Sequence, residues 1–213
     1  MANAPTPIVY VVVEDHSVRQ SIESLIRAGG WRPETFGSAF EFLSRTHPPV
    51  PSCLILDVKL PDINGLALQE RIAAERKDIS IVFLSGLCDV ATTVMAMKAG
   101  ALDFLMKPVD PEVLLNSIRS AIRQSEVTLG RESQIHILRT GYSSLTTRER
   151  EVMSLVVSGL LNKQVGGELG ISEITVKAHR GNVMKKMKAN SFADLVNMAT
   201  RLRLGRAMVM SAA

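Results

Sequence analysis

The chain has 213 residues, of which 46% are hydrophobic and 22% are charged, a balance that indicates a globular protein and excludes bulk disorder. This length suits two modest domains, and no apolar run approaches the roughly 20 residues that cross a membrane. Residues 1–7 lack the basic start and apolar core of a secretory signal. We therefore predict a soluble, cytoplasmic protein that does not bind membranes.

Charge is divided unevenly along the chain. Residues 1–124 hold 12 Lys/Arg and 14 Asp/Glu, a net charge of −2, whereas residues 125–213 hold 13 Lys/Arg and 7 Asp/Glu, a net charge of +6. An acidic front part joined to a basic rear part predicts a polyanionic partner for the rear part alone.

Short apolar runs alternate with amphipathic stretches over the first 124 residues. The predicted strands are Ile8–Val13, Arg32–Phe36, Cys53–Val58, Ile79–Leu84 and Asp103–Leu105. The predicted helices are Val18–Ala28, Ala39–Thr46, Leu66–Arg76, Val90–Ala99 and Pro111–Arg123. Five strands alternating with five helices predict an α/β fold with a doubly wound parallel sheet. The central strands are apolar on both faces, as a sheet covered by helices requires.

The two cysteines, Cys53 and Cys88, open one predicted strand and follow another. If these strands are parallel, the thiols lie roughly 13 Å apart along the strand axis. A disulfide needs Cα atoms within about 7 Å of each other. We predict that both thiols are reduced.

The fifth helix is expected to continue beyond the first domain. Pro111 suits the first turn of a helix, and no proline follows it in the chain. The helix can therefore extend to about Leu138 as a semi-rigid linker. We predict a first domain at residues 1–124, a mostly helical linker at 125–144 and a second domain at 145–213.

Four short helices and no strand are predicted for the second domain. Thr146 and Glu149 form a capping box for the first of them, and Ser191 and Asp194 form another for the last. Between these, the predicted helices are Asn162–Leu169, which stops at Gly170, and a helix that Ser172 caps and that ends near Met187. This order predicts a small all-α domain.

Polar side chains follow four of the apolar strands in the first domain. Glu14 and Asp15 follow strand one, Asp57 ends strand three, Ser85 follows strand four and Lys107 follows strand five. Ligands of open parallel sheets bind beyond the carboxyl ends of the strands, where the strand order reverses. With the order 2-1-3-4-5, the three carboxylates meet at one crevice.

Carboxylates this close repel one another unless a cation lies between them. Mg²⁺ takes oxygen ligands and suits a site that also binds phosphate. Asp57 could then attack a phosphoryl group, while Mg²⁺ and the Lys107 ammonium neutralise its oxygens and Ser85 donates a hydrogen bond. Haloacid-dehalogenase-like phosphatases also use a strand-end Asp, but they need a second Asp two residues on, where this chain has Lys59. We therefore predict that the protein is not an enzyme.

These residues resemble the receiver domain of two-component response regulators. The resemblance is carried by Glu14-Asp15, Asp57 with Leu60-Pro61 and Gly65, Ser85-Gly86, and Phe104 three residues before Lys107-Pro108. It implies the flavodoxin-like sheet order and a sensor histidine kinase that phosphorylates Asp57. Glu14 replaces the commoner Asp, and Ser85 the commoner Thr, without changing the chemistry.

The same resemblance implies a role for each residue of the crevice. Asp15, Asp57 and the backbone carbonyl of Lys59 would bind Mg²⁺, and Glu14 would contribute through a water molecule. Lys107 would bind the phosphoryl group, ahead of a cis peptide bond to Pro108. Ser85 and Phe104 would form a switch pair, although Phe104 considered by itself would be assigned to the core.

The second domain has the order of a helix-turn-helix, whose last helix enters the major groove of DNA. At 100° per residue, Val176, Val183 and Met187 share one side of this helix. Its opposite side carries Lys177, Ala178, Gly181, Lys185 and Lys188. An apolar stripe facing a lysine-rich arc suits a helix that neutralises phosphates. Thr175 and the backbone N–H groups behind Ser172 could hold a phosphate at the helix start.

The run SLTTREREVMSLVVSGLLNKQVGGELGISEITVKAHRGNVMKKM resembles the LuxR/NarL-type DNA-binding domain, and in particular that of FixJ-like response regulators. The resemblance implies that Lys177, Ala178 and Gly181 face base edges, while Thr175, Arg180 and Lys185 lie near phosphates. Gly181 either permits close approach to DNA or is a tolerated weak point in the helix.

Together these features predict a phosphorylation-dependent transcription regulator that acts as an activator. Phosphorylation would remodel the face formed by helix four, strand five and helix five, including Val90, Val94 and Met97, so that a homodimer forms and binds double-stranded DNA. RNA polymerase is a further implied partner. Two alternatives stay open: a partner-binding module that no longer reads DNA, and a regulator that binds DNA without phosphorylation.

Overall fold

The structure is a computed structural model that describes residues 6–86 and 90–204 of the chain. The chain divides into two compact units, Met1–Gly130 and Arg131–Ala213. The strands are β1 Ile8–Val12, β2 Arg32–Phe36, β3 Ser52–Asp57, β4 Ile79–Ser85 and β5 Asp103–Met106. The helices of the first unit are α1 His16–Ala28, α2 Ala39–Leu43, α3 Gly65–Glu75, α4 Val90–Lys98 and α5 Pro111–Ser143, the last of which continues into the second unit.

The five strands form one parallel sheet in the order β2-β1-β3-β4-β5, which confirms the predicted fold class. Side chains of successive strand residues alternate between its two faces. Val9 and Val11 of β1 pack in a core with α1 and α5, whereas Tyr10 and Val12 pack in a second core with α2, α3 and α4. Because helices cover both faces, the inner strands need apolar side chains in both directions.

Helix α5 runs without interruption from Pro111 to Ser143, past the end near Leu138 that the sequence suggested. The division between the two units, at Gly130 and Arg131, falls inside this helix. The stretch predicted as a helical linker, residues 125–144, is therefore helical through residue 143.

The second unit contains α6 Thr147–Val157, α7 Asn162–Leu169, α8 Glu173–Met187 and α9 Phe192–Arg201 over the residues that the structure describes. Thr146 and Glu149 form the predicted capping box. Ser191 caps α9 as expected, but Asp194 accepts a hydrogen bond from the N–H of Asn190 at 3.0 Å and not from that of Ser191, so the predicted second capping box is only half formed.

The packing of α7 against the turn before α8 depends on Gly166. A Cβ atom at this position would lie 2.7 Å from the carbonyl oxygen of Ile171, too close for any side chain, whereas a Cβ at Gly167 would meet nothing within 4 Å. Gly170 ends α7 in the left-handed conformation, with φ +65°, as the sequence suggested. These features set the tight turn between the two helices of the helix-turn-helix.

Cys53 is a free, buried thiol in β3, and burial raises its pKa far above the ordinary value. Cys88, the other cysteine considered above, lies outside the described residues. Among the helices that the structure describes, none combines the length and the apolar character that crossing a bilayer requires.

Candidate functional site

The crevice at the carboxyl edge of the sheet is centred on Asp57, the last residue of β3. Its side chain is buried, and Oδ2 accepts a hydrogen bond from the Lys107 ammonium at 2.5 Å. Lys107 follows β5, and its backbone N–H donates to the carbonyl of Ser85 at the end of β4. The Lys107–Pro108 peptide is cis, as expected. Three strand ends thus bring Asp57, Ser85 and Lys107 to one edge.

Asp15 lies beyond β1 at the same edge and is the N-cap of α1. Its Oδ1 accepts hydrogen bonds from the N–H groups of Val18 and Ser17. These bonds, together with the positive charges of Lys107 and Arg19, hold the pKa of Asp15 below its ordinary value. The Lys107 ammonium thus contacts Asp57 directly and acts electrostatically on Asp15, two of the three carboxylates that the sequence assigned to the crevice.

Arg19 braces the turn that carries Glu14. Its guanidinium donates to the carbonyl of Val13 at 2.6 Å and to that of Glu14 at 3.0 Å, while the Glu14 side chain is exposed at the rim. Arg19 was not among the predicted site residues, because a basic residue on an exposed helical turn gives no sign in the sequence that it binds backbone carbonyls of the preceding strand end.

The loop after Asp57 is held close to the strand end by Gly65. A Cβ atom at Gly65 would lie 2.4 Å from the carbonyl oxygen of Asp57, so only glycine fits the first position of α3. The Gly65 N–H donates to the carbonyl of Val58, and Asn64 caps the helix. Within the loop, the N–H of Lys59 lies 3.4 Å from Oδ1 of Asp57, a long hydrogen bond.

A second carboxylate in this loop, Asp62, binds another helix. It accepts hydrogen bonds from the N–H groups of Phe40 and Ala39 at the start of α2. Partial burial opposes ionisation, but these backbone bonds outweigh it and lower the pKa of Asp62. No spacing in the sequence indicated this contact, because the partners are 22 and 23 residues apart.

The two residues of the expected switch pair occupy neighbouring strands. Ser85 is buried at the end of β4, paired in register with Met106. Phe104 of β5 is half-buried, and its ring centroid lies 6.0 Å from that of Phe83 in the core. Phe104 therefore packs at the border of the core, two residues back from the strand end that Ser85 adjoins.

The oxygen atoms at this edge suit Mg²⁺, which keeps several water ligands, better than a metal that is coordinated entirely by protein side chains. Over the residues described, no group of three or more His, Cys, Asp or Glu side chains is arranged to hold a metal. Asp15 and Asp57 would offer two carboxylates, and the backbone carbonyl of Lys59, two residues after Asp57, would offer a third oxygen. Mg²⁺ usually takes one or two carboxylates and completes its shell with water and phosphate.

Helix α8 presents two different sides in the second unit. Val176, Val183 and Met187 are buried in the core of this unit, as predicted. The opposite side is exposed at Lys177, Ala178, Gly181, Lys185 and Lys188. Lys188 ends the helix in the left-handed conformation, with φ 56°. A Cβ at Gly181 would meet nothing within 4 Å, so the outer face is open there.

Two of the residues expected near phosphates already have partners within the domain. The Arg180 guanidinium donates to Oδ1 of Asn162 at 3.1 Å and lies 4.7 Å above the Phe192 ring. Thr175 is bonded to Ser172 through both its N–H, at 3.1 Å, and its hydroxyl, at 2.8 Å. The N–H of Thr175 is thus bonded to the helix cap. The backbone N–H groups that could face a phosphate at the helix start are therefore those of Glu173 and Ile174.

Adjacent lysines of α8 differ in their surroundings. Lys185 is exposed, but Lys186 donates to Oε2 of Glu149 at 2.6 Å. Glu149 is buried, and the hydrogen bond from Lys186, followed by that from Thr146, lowers its pKa. The sequence analysis identified Glu149 only as part of a capping box, because its lysine partner is 37 residues away.

Comparisons with known proteins match each half of the chain to a family. A model described as response regulator receiver domain matches residues 9–119. A model described as bacterial regulatory proteins, luxR family, matches residues 143–199. The two matches follow one another in the order that the motifs predicted.

Individual relatives resemble the chain over nearly its whole length. Nodulation protein W of Bradyrhizobium diazoefficiens is 45% identical over 195 residues, covering 92% of this chain and 86% of the relative. The transcriptional regulatory protein FixJ of the same organism is 37% identical over 193 residues, covering 91% and 94%. Among solved structures, the response regulator StyR has a TM-score of 0.81 and 42% identity, covering 92% of this chain and 100% of that one.

Proposed function

The chain belongs to the response regulators that join a receiver domain to a LuxR-type DNA-binding domain, and from this premise we propose that a sensor histidine kinase phosphorylates Asp57 and thereby controls DNA binding and transcription. The observation that supports this most directly is the buried Asp57 carboxylate, held 2.5 Å from the Lys107 ammonium at the carboxyl edge of a parallel sheet. The relatives are transcriptional regulators and not enzymes. This is consistent with an Asp57 carboxylate that keeps its phosphoryl group long enough for the rest of the protein to respond to it.

In the proposed transfer, Oδ1 of Asp57 attacks the phosphorus of a phosphohistidine on the kinase. The P–N bond breaks, the imidazole leaves with the electron pair and takes up a proton, and an acyl phosphate remains on Asp57. Oδ1 suits this role because its bond from the Lys59 N–H is long, at 3.4 Å, whereas Oδ2 is engaged by Lys107. Lys107 then pairs with the new phosphoryl oxygens.

Mg²⁺ would be held by Asp15, Asp57 and the backbone carbonyl of Lys59, with Glu14 contributing through water. The ion supplies positive charge that offsets the phosphoryl oxygens. The lowered pKa of Asp15 keeps its carboxylate ionised and ready for such a cation.

The signal would pass from the phosphoryl group through Ser85 and Phe104 to the face formed by α4, β5 and α5. Ser85 would turn its hydroxyl toward the phosphoryl group, and the Phe104 ring would move inward into the space this leaves. Val90, Val94 and Met97 of α4 are exposed and apolar, which suits a surface that becomes buried when two receivers pair. The result would be a homodimer.

The second domain would bind double-stranded DNA through the exposed side of α8. Lys177, Ala178 and Gly181 would face base edges in the major groove, while Thr175, Arg180, Lys185 and Lys188 would lie near phosphates. A dimer would place two such helices on half-sites about one DNA turn apart. Bound in this way in the cytoplasm, the protein would recruit RNA polymerase and act as an activator.

Intact mass spectrometry tests the phosphorylation step. The full-length protein is treated with acetyl phosphate and Mg²⁺, and we expect the mass of one phosphoryl group to be gained. The Asp57→Asn variant should gain none, while Asp62→Asn, altered at an exposed carboxylate of the same loop, should still be modified. A phosphoryl group that persists in Asp57→Asn would reject Asp57 as the acceptor.

Light scattering and gel shifts test the later steps. Phosphorylation should roughly double the mass in solution and increase the affinity for DNA selected from a random pool. An unchanged mass would reject the dimer. DNA binding that is equal with and without phosphorylation would favour the phosphorylation-independent alternative, and the absence of any selected sequence would favour a module that does not read DNA.

A further inference from the structure

Ile174, the second residue of α8, is an apolar side chain in an unusually exposed position. At 80% exposure it is the most exposed of the large hydrophobic side chains among the residues that the structure describes. Single exposed apolar residues are common on protein surfaces, and exposure alone assigns no function. The place of Ile174 on α8 is what distinguishes it.

Ile174 lies in the middle of the outward face of α8. At 100° per residue, Gly181 and Lys185 fall within about 20° of Ile174 around the helix axis, and Ala178 within about 40°. Val183, which is buried, lies about 180° away. Ile174 is therefore aligned with the residues proposed to face DNA, although its side chain cannot neutralise a phosphate.

The neighbours of Ile174 on this face leave it prominent. Ala178 and Gly181 are small, and the space above Gly181 is open. Lys177 is held by an ion pair with Glu173, with Nζ 3.0 Å from Oε1. Near the start of α8 the outward face thus carries one bulky aliphatic group, followed by small residues that let the helix approach a surface closely.

We propose that Ile174 is a specificity-determining residue that contacts the 5-methyl group of a thymine in the major groove. This inference rests on the proposed DNA-binding function. In a helix-turn-helix, residues near the N-terminus of the recognition helix contact base edges. An aliphatic side chain has no hydrogen-bonding group, and the thymine methyl is the apolar feature that the major groove offers it.

The position of this thymine relative to other contacts follows from helix geometry. Ile174 precedes Lys177 by three residues, or about 4.5 Å along the axis, which is close to one base-pair step of roughly 3.4 Å. The thymine sensed by Ile174 therefore lies within one or two base pairs of the base that Lys177 contacts. The base contacted by Lys177 is identified in the same experiment as the position where the Lys177→Ala variant loses its base preference.

Replacing single thymines by deoxyuridine removes only the methyl group and so tests the contact directly. Full-length protein treated with acetyl phosphate and Mg²⁺ is first used to select a site from a random duplex pool. Each thymine of the selected duplex is then replaced in turn, and dissociation constants are measured. We expect one position per half-site to lose roughly threefold to tenfold in affinity, the scale of one buried methyl contact.

Variants assign the effect to Ile174. Ile174→Ala should bind thymine and deoxyuridine duplexes equally at that position, while Ile174→Val, which keeps a branched aliphatic group, should still discriminate. Ile137→Ala, the same change at an exposed isoleucine of α5, should behave as wild type. Circular dichroism checks that each variant is folded.

The outcomes separate this inference from the function on which it rests. If the wild type selects a site but Ile174→Ala shows the same deoxyuridine profile, Ile174 does not contact a methyl group and the DNA-binding function stands. If the wild type selects no sequence, both the proposed function and this inference fail.

Discussion

Each half of the molecule contains a buried carboxylate bonded to a lysine, and the two pairs differ in what else the carboxylate binds. In the receiver half, Asp57 Oδ2 lies 2.5 Å from Lys107. In the DNA-binding half, Glu149 Oε2 lies 2.6 Å from Lys186 and also accepts the N–H of Thr146 at 2.8 Å. Similar pairs thus occur in a crevice at a sheet edge and at a helix start.

The surroundings of the carboxylate determine whether such an ion pair suits a binding site or stabilises the fold. Glu149 joins α6 to α8 and takes part in the cap of α6, so both of these bonds lie within its own domain. Asp57 lies at the end of β3, and among the residues that the structure describes its second oxygen accepts a long hydrogen bond, at 3.4 Å, from the N–H of Lys59. This arrangement suits the ligand site proposed at Asp57, whereas Glu149 links two helices of its own domain.

The largest expected effect in this comparison is on phosphorylation through Lys107. Lys107→Met removes the cation beside Asp57, and we expect phosphoryl incorporation from acetyl phosphate to slow by roughly a hundredfold, the lower end of the cost of losing one electrostatic stabiliser, because Lys107 is partly exposed. Incorporation is measured by intact mass against time. Lys59→Met is the matched control, since it alters an exposed side chain but keeps the backbone carbonyl; slowing of equal size in both variants would contradict a specific role for Lys107.

The pair in the DNA-binding half should instead affect stability. Lys186→Met leaves the buried Glu149 carboxylate without its cation, and we expect a loss of about 2 kcal/mol, below the value for fully buried pairs because Lys186 is partly exposed. Denaturant unfolding of the full chain, followed by circular dichroism, measures it. Lys185→Met, at the exposed neighbouring lysine, should leave stability unchanged within about 0.5 kcal/mol but weaken DNA binding.

Acid should weaken the same pair in the wild type. The pKa of Glu149 is lowered in the folded protein, so its contribution is present above the ordinary value of 4.5 and is lost as the pH falls below it. Lys186→Met should flatten this dependence. An equally steep loss of stability below pH 4.5 in the variant would show that other carboxylates cause it.

Glycine substitutions probe how closely the backbone packs around the helix-turn-helix. Gly166→Ala would place a Cβ 2.7 Å from the Ile171 carbonyl, and we expect it to destabilise the DNA-binding half by about 1–2 kcal/mol. Gly167→Ala meets nothing within 4 Å and should stabilise α7 by up to about 1 kcal/mol. Thermal unfolding should therefore shift in opposite directions for these neighbours; a shift of the same sign in both would reject the close approach at Gly166.

The smallest expected effect is a pH dependence confined to the receiver half. Burial lowers the pKa of His47, whose ring stacks on Phe42 at 4.2 Å. The unfolded chain then binds the proton more readily, so stability should fall as the pH drops below the ordinary value of 6.5, by less than about 1 kcal/mol because the ring is only half-buried.

Trp31, the single tryptophan of the chain, lies in the receiver half and reports its unfolding by fluorescence. The midpoint should decrease between pH 7.5 and pH 5.5 in the wild type, and His47→Gln should reduce this change. A pH dependence that is unaltered in His47→Gln would assign it to another group.

Features that repeat locally could be predicted from the sequence. The apolar runs and their spacing indicated the five strands, and the polar residues that end them indicated Asp15, Asp57, Ser85 and Lys107 as neighbours. Helix caps such as Thr146 were also visible, because a cap and its partner are three residues apart. Ile174 lies on the same side of the helical wheel as the lysine-rich arc, but a single apolar residue there gives no local signal of a contact.

Contacts between distant segments could not be predicted in this way. The family resemblance implied that Arg180 lies near phosphates, and the structure adds contacts that no local pattern indicated, a hydrogen bond to Asn162 and stacking on Phe192. Lys185 and Lys186 are adjacent residues of the same type, and the sequence does not distinguish them. The fold gives Lys186 a buried partner, Glu149.

Hydrophobic periodicity and capping act over a few residues, so the order of the elements and the residues at the strand ends could be predicted from the sequence. The fold decides which charged side chains are bonded within the protein and which stay exposed. That outcome depends on burial and on partners 18 to 37 residues away, as for Arg180 and Asn162 or Lys186 and Glu149. Electrostatic partners are selected by distance in space, which no local pattern contains.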